Sequence, residues 1–136
     1  MRTSNDILSD IYQLIKADTS MNNLGGGIFK VIRKTNSVAD DIVINLISAN
    51  TSRFENKGRL LITIYNQNIL NDNTNWTNNL NVGRNEKLLY DFSEKLIEDR
   101  PIKSDIYYSQ SRRIYTEYLT DYCYTILNLD FETLNY

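Results

Sequence analysis

The chain predicts an α+β domain: an antiparallel or mixed sheet of about five strands with a long amphipathic helix packed on one face and a second helix at the N-terminus, in the order α-β-β-β-α-β-β. Three observations carry that expectation. Residues 84–98 (RNEKLLYDFSEKLIE) form a long segment whose apolar positions repeat with helical spacing. The segments before and after it, apart from one near the N-terminus, are rich in β-branched residues or alternate apolar with polar, as strands do. The length of 136 residues suits one domain, spanning 1–136. A domain of that size buries roughly two thirds of the surface its unfolded chain exposes and stands without staples.

The first element is a helix from about Asn5 to Lys16, with Thr3 or Ser4 as N-cap and Asp6 in the first turn, where the helix dipole favours an acid. Ile7, Ile11, Leu14 and Ile15 make its apolar stripe, with Leu8 and Tyr12 beside it. Residues 17–23 are polar punctuation. Gly25, Gly26 and Gly27 then let the backbone turn sharply. Residues 28–34 (IFKVIRK) read as a first strand and 41–50 (DIVINLISAN) as a second. The unbroken β-branched run Ile42-Val43-Ile44 in the second suggests a central strand at least partly covered on both faces. Asn56-Lys57-Gly58 is a turn signal before the third strand, 59–66 (RLLITIYN).

Residues 67–80 read as a long loop followed by early helix, with Trp76, Leu80 and Gly83 at a helical interval. In the long helix Leu89, Phe92 and Leu96 fall at i, i+3 and i+7 and must find an apolar surface, which the strands supply. Pro101 ends it, because the residue before a proline is disfavoured in helix. The last two strands are 106–118 (IYYSQSRRIYTEY), with a bulge expected near Ser109–Ser111, and 122–134 (YCYTILNLDFETL).

Composition narrows the chemistry. Histidine is absent, which removes the commonest general base and metal ligand. One cysteine, Cys123, has no histidine to activate it and reads as a small hydrophobe in a strand. The net charge of −2 argues against a grip on DNA through phosphates as the main activity. No Lys-Ser/Thr follows the glycine run and a strand comes next, so the glycines make a turn and not a phosphate cradle. Asp40 with Asp41, or Asp72 among its asparagines, lacks the spacing of a calcium loop. Asn50-Thr51-Ser52 and Asn75-Trp76-Thr77 match a glycosylation sequon, but the polar N-terminus has no apolar signal region and no apolar run is long enough to span a bilayer. The chain is therefore expected to have no catalytic residues, no cofactor and no metal, and not to be an enzyme. Lys30, Arg33 and Lys34, and the pair Arg112-Arg113, are the basic clusters. They read as solvated strand faces or as contacts with an acidic partner surface or passing DNA.

An N-terminal helix of the form NDILSDIYQLIKAD, a small-residue turn into IFKVIRK, two central strands, a long helix and a final hairpin ending in LNLDFETL resemble the phage tail-terminator or tail-completion proteins. These are small α+β ring-forming proteins of the head–tail junction, and similar folds serve as neck rings in short-tailed phages, including the crAss-like group. The resemblance covers almost the whole chain and rests on element order and hydrophobic pattern. It implies a structural virion protein in the neck or tail, assembled in the host cytoplasm. The implied partners are its own copies in a hexameric or dodecameric ring, a portal or adaptor, tail proteins, and DNA passing through the lumen without sequence-specific binding. Residues 67–80 are longer and more polar than a tight connection and are read as an extension to a neighbour. Lys30, Arg33, Lys34, Tyr65, Trp76, Arg112, Arg113, Tyr115 and Tyr118 are the candidate partner-interface residues. The alternative from another class is a small soluble protein-binding adaptor or an inhibitor of a host protein.

Overall fold

The structure, a computed structural model, describes residues 4–33, 40–51, 55–67, 69–71, 75–77, 82–98, 106–119 and 122–134. Helix α1 (Ser4–Ala17) is followed by a short α2 (Thr19–Asn22) and strand β1 (Ile28–Lys30). Then come β2 (Ile42–Thr51), β3 (Glu55–Gln67), the short β4 (Ile69–Asn71) and β5 (Asn75–Thr77), the long helix α3 (Val82–Glu98), β6 (Ile106–Tyr118) and β7 (Tyr122–Leu134). Five strands form one mixed sheet in the order β1-β2-β3-β7-β6, and β4 pairs with β5 in a separate two-stranded ribbon. Among the described strands only the β1–β2 pairing is parallel. The fold is the α+β arrangement that the periodicity indicates.

Both long helices cover the same face of the sheet. α3 packs on β6 and β7, and α1 on β1 and β2. The alternation of β3 and β7 explains why. Leu60, Ile62 and Ile64 are cross-strand partners of Leu129, Leu127 and Thr125, so one face presents a continuous apolar surface. Onto it α3 lowers Leu89, Phe92 and Leu96, the stripe read from the sequence, together with Ile97, while α1 contributes Ile7, Leu8, Ile11 and Ile15. Each such side chain stabilises the fold by roughly 1.5–3 kcal/mol on full burial. Among the described residues no helix is long and apolar enough to cross a membrane.

Several sequence expectations are corrected. Leu14 leaves the α1 stripe and is 47% exposed, because the helix turns its Ile7–Ile11–Ile15 line to the sheet. β1 stops at Lys30 and does not run to residue 34, because Val31 has a φ of 73° that no strand accommodates. Asn56, Lys57 and Gly58 are not a turn but lie inside β3, paired with Thr133, Glu132 and Phe131. Gly58 serves close packing there, since a Cβ would meet the Phe131 ring and the Ile47 carbonyl oxygen, each at 2.8 Å. Trp76 belongs to strand β5, opposite Leu70, and not to an early helix turn. The bulge falls where it was expected, as a register shift between Tyr108 and Arg112. β2 is covered on its second face only at its start, where Val43 is buried, whereas Ile47 is exposed.

Candidate functional site

The face of the sheet opposite the helices is built by the alternate residues of the same strands. Thr63 and Tyr65 of β3 stand opposite Ile126 and Tyr124 of β7 there, and Tyr115 of β6 joins them through its pairing with Ile126. Tyr65 lies 5.6 Å from Tyr124 and 6.3 Å from Tyr122, ring centre to ring centre, and Tyr122 is 6.3 Å from Tyr124. These three rings make a tilted, half-buried aromatic cluster of the kind that supplies large contact area with a polar tip. Burial pushes the Tyr65 phenol up, against the pull of the Arg33 charge and with a further push from Tyr122. The Tyr124 phenol is also raised, by burial and then by the neighbouring Glu117. Both phenols therefore keep their protons at neutral pH and serve as hydrogen-bond donors and acceptors.

The turn before β2 sets one border of this cluster. The Asp41 side chain, almost fully buried, accepts a hydrogen bond from the Gly27 N–H at 2.9 Å. Its other oxygen accepts from Arg33 Nε at 3.1 Å and Nη2 at 3.0 Å. Gly26 carries no Cβ, which would stand 2.1 Å from the Asp40 carbonyl oxygen. After β1 the Ile32 N–H donates to the Lys30 carbonyl at 2.9 Å around Val31, a γ-turn with its central residue in the left-handed region. That turn throws Val31 and Ile32 outward and returns Arg33 to Asp41. The Arg33 guanidinium then rests 4.3 Å from the centre of the Tyr65 ring, a cation–π contact. Asp41 is thus a buried anchor for Arg33 and the glycine turn, and Asp40 pairs with Arg84 at 3.7 Å, so each carboxylate has its own arginine.

Beyond the bulge β6 pairs regularly, and the alternation of its side chains sends the adjacent Arg112 and Arg113 to opposite faces. Arg112 points to the helix side, where it bonds Glu94 of α3 and stacks 4.1 Å over Tyr90. Hydrogen bonds from Arg112 and then from Tyr90 hold the Glu94 carboxyl below the usual range. Arg113 stays on the open side, 5.6 Å from the Tyr115 ring. Between them a cleft of about 320 Å³ is lined by Arg59, Ser111, Arg112, Arg113, Asn128 and Asp130. Arg59 partly neutralises Asp130 across it at 3.4 Å. On the helix side, a buried amide pair joins Asn85 of α3 to Asn66 of β3, and Arg84 Nη2 donates to Asn85 Oδ1 at 3.0 Å.

Of the residues singled out from sequence, the fold brings Arg33 to Tyr65 and Arg113 to Tyr115, and separates Arg112 from both. Lys30 sits on the helix side of β1, donating to Ser9 Oγ at 3.0 Å, with its ammonium 5.4 Å from the Tyr12 ring. Tyr118 ends β6 in an exposed position. Trp76 is placed in β5, which pairs with β4 and is not a strand of the five-stranded sheet. Lys34 lies outside the described residues, as does Asp72. Tyr122 and Tyr124 were not singled out, although their alternation with the buried Cys123 and Thr125 marks them as residents of one face. No local signal identifies Asp41 or Glu94 as partners of arginines so distant in the chain.

No protein-family model matches the chain, and no curated protein matches it in sequence.

Proposed function

We propose that the chain is a structural virion protein whose copies form a ring at the phage head–tail junction, joining portal or adaptor to tail around the DNA channel. The observation that carries this reading is the one-sided fold: helices cover one face of the five-stranded sheet and leave the other face with its tyrosine cluster. A face of half-buried tyrosines bordered by arginines has the composition of a wet subunit interface, where tyrosine and arginine are enriched. At its borders Arg33 is held by Asp41 against the Tyr65 ring and Arg113 lies beside the Tyr115 ring. The small net charge suits a channel wall, where strong positive charge would hold DNA in transit. The same tyrosine face serves the alternative, a small adaptor or host-protein inhibitor, if its occupant is a foreign chain. Electron microscopy of purified particles separates the two. Density for this fold in a closed ring at the neck is the expected result. A chain found in infected-cell lysate and absent from particles overturns the ring reading in favour of the adaptor.

A further inference from the structure

Strand β6 ends the sheet, and no described strand lies beyond it. The Leu119 N–H donates to the Tyr122 carbonyl at 2.9 Å, which makes 119 and 122 a hydrogen-bonded pair. In an antiparallel ladder such pairs alternate, so Arg112, Ile114, Thr116 and Tyr118 turn their own N–H and C=O groups away from β7. Edges of this kind are normally guarded by lysine, proline or a bulge. Here the bulge guards the first half, and the stretch 114–118 holds neither proline nor lysine.

The opposite edge is β1. Ile42 N–H donates to the Gly27 carbonyl and Val31 N–H to the Ile44 carbonyl, both within 2.9 Å, so Ile28 and Lys30 are the residues that turn their backbone outward. Following the pairings across the sheet, Lys30, Ile44, Ile62, Leu127 and Ile114 lie at one level, and Ile28, Ile42, Ile64, Thr125 and Thr116 at another. β1 runs with β2, and three successive antiparallel pairings make β6 run against both. A sideways step of one copy therefore sets β1 against the next copy's β6, antiparallel and level.

The side chains at the two edges complement each other. At the β1 edge, on the helix side, Lys30 and Lys16 converge on the Tyr12 ring at 5.4 and 6.0 Å. At the β6 edge, on the same side, Glu86 of α3 accepts from Thr116 Oγ1 at 3.2 Å. Large apolar groups are exposed at both edges: Ile32 at 75% and Val31 at 50% beside β1, Tyr118 at 51% beside Leu119 at the end of β6. The strained turn at Val31 is what presents the first pair.

We infer that the β1 edge of one copy receives the β6 edge of a second copy, head to tail, extending the sheet across the boundary with Lys30 facing Glu86. This contact rests on the ring reading above and names the surface that closes it. A repeated contact between two different edges makes rings when the rotation closes, whereas β6 against β6 would stop at a dimer.

The test is charge reversal in the full chain, read by sedimentation velocity across concentration up to the solubility limit. Lys30→Glu and Glu86→Lys, each alone, set like charges against each other and are expected to weaken association about tenfold or more. The double variant restores opposite charges and is expected to return within about threefold of the native chain. Urea midpoints near the native value show that these exposed substitutions leave the fold intact. The inference is overturned if the native chain stays monomeric throughout, if the double variant is as weak as the singles, or if Glu86→Lys weakens association and Lys30→Glu does not. That last pattern assigns the contact to two β6 edges. Head-to-tail association in solution by a protein missing from particles keeps this contact and overturns the neck reading. A neck ring whose subunits meet elsewhere does the reverse.

Discussion

Replacing Leu89 with alanine is expected to destabilise the chain by about 3–4 kcal/mol. Leu89 has no exposed surface and opens the apolar stripe near the middle of α3, in one core cluster with Ile62, Ile64 and Leu127. The substitution removes three carbons, worth about 2.4 kcal/mol at roughly 0.8 kcal/mol each. The cavity adds to this at about 24 cal/mol per Å³ for whatever volume does not collapse. Collapse is limited because the floor is a hydrogen-bonded sheet whose side chains, Ile62, Ile64 and Leu127 among them, are held by their own packing. At a urea slope of about 2 kcal/mol/M the midpoint falls by about 1.5–2 M. Equilibrium urea unfolding followed by circular dichroism measures it. Leu14→Ala is the internal control, because that leucine is 47% exposed and its loss is expected to change stability by no more than about 0.5 kcal/mol. A Leu89→Ala cost below about 1 kcal/mol, or equal costs at the two positions, refutes the packing of α3 described here.

The other perturbations test the edges of the core. Asp18 caps α2 by accepting from Ser20 N–H at 3.0 Å and Met21 N–H at 3.1 Å, and it receives Lys95 Nζ of α3 at 2.8 Å. Burial alone would raise its carboxyl, but the Lys95 hydrogen bond and the amide donors outweigh it and lower the pKa from the ordinary 3.8. Its contribution is therefore complete above that value and lost as pH falls through the lower folded one. Asp18→Asn keeps a capping oxygen, and it is expected to flatten the acid limb of stability; an unchanged pH profile would sink this assignment. Gly58→Ala is expected to cost about 1–3 kcal/mol through overpacking, since the new methyl meets both Phe131 and the Ile47 backbone; an unchanged melting temperature contradicts it. Val31→Gly releases a β-branched residue from a φ of 73° and is expected to raise stability by about 1 kcal/mol. A clear loss of stability in chemical denaturation would show that the turn carries no strain.

Local periodicity was enough to locate α1, α3, β6 and β7, because each is long and its apolar spacing matches the geometry of the backbone. It misled where a residue type has two uses. Asn56, Lys57 and Gly58 are turn formers, yet they continue β3, where the missing Cβ of Gly58 leaves room for the Phe131 ring and the Ile47 carbonyl. Residues 28–34 read as a strand, but of the described residues 28–33 only Ile28–Lys30 form one, because the Arg33–Asp41 pair rewards turning back. Residues 67–80 read as loop and early helix, whereas Ile69–Asn71 pairs with Asn75–Thr77, a ladder that spacing along the chain does not encode.

The candidate site divides the same way. The amino-acid order alone determined that tyrosines crowd the last strands, with the pair Arg112-Arg113 among them, and that histidine is missing from the chain. Which of them meet was decided by the strand order β1-β2-β3-β7-β6, which sets Tyr65 beside Tyr122 and Tyr124 and puts β1 and β6 at opposite edges. The physical reason is that spacing along a strand fixes the face a side chain takes, while its neighbours on that face come from other strands, and the pairing of strands far apart in the chain is settled only when their shared apolar face is buried beneath the helices.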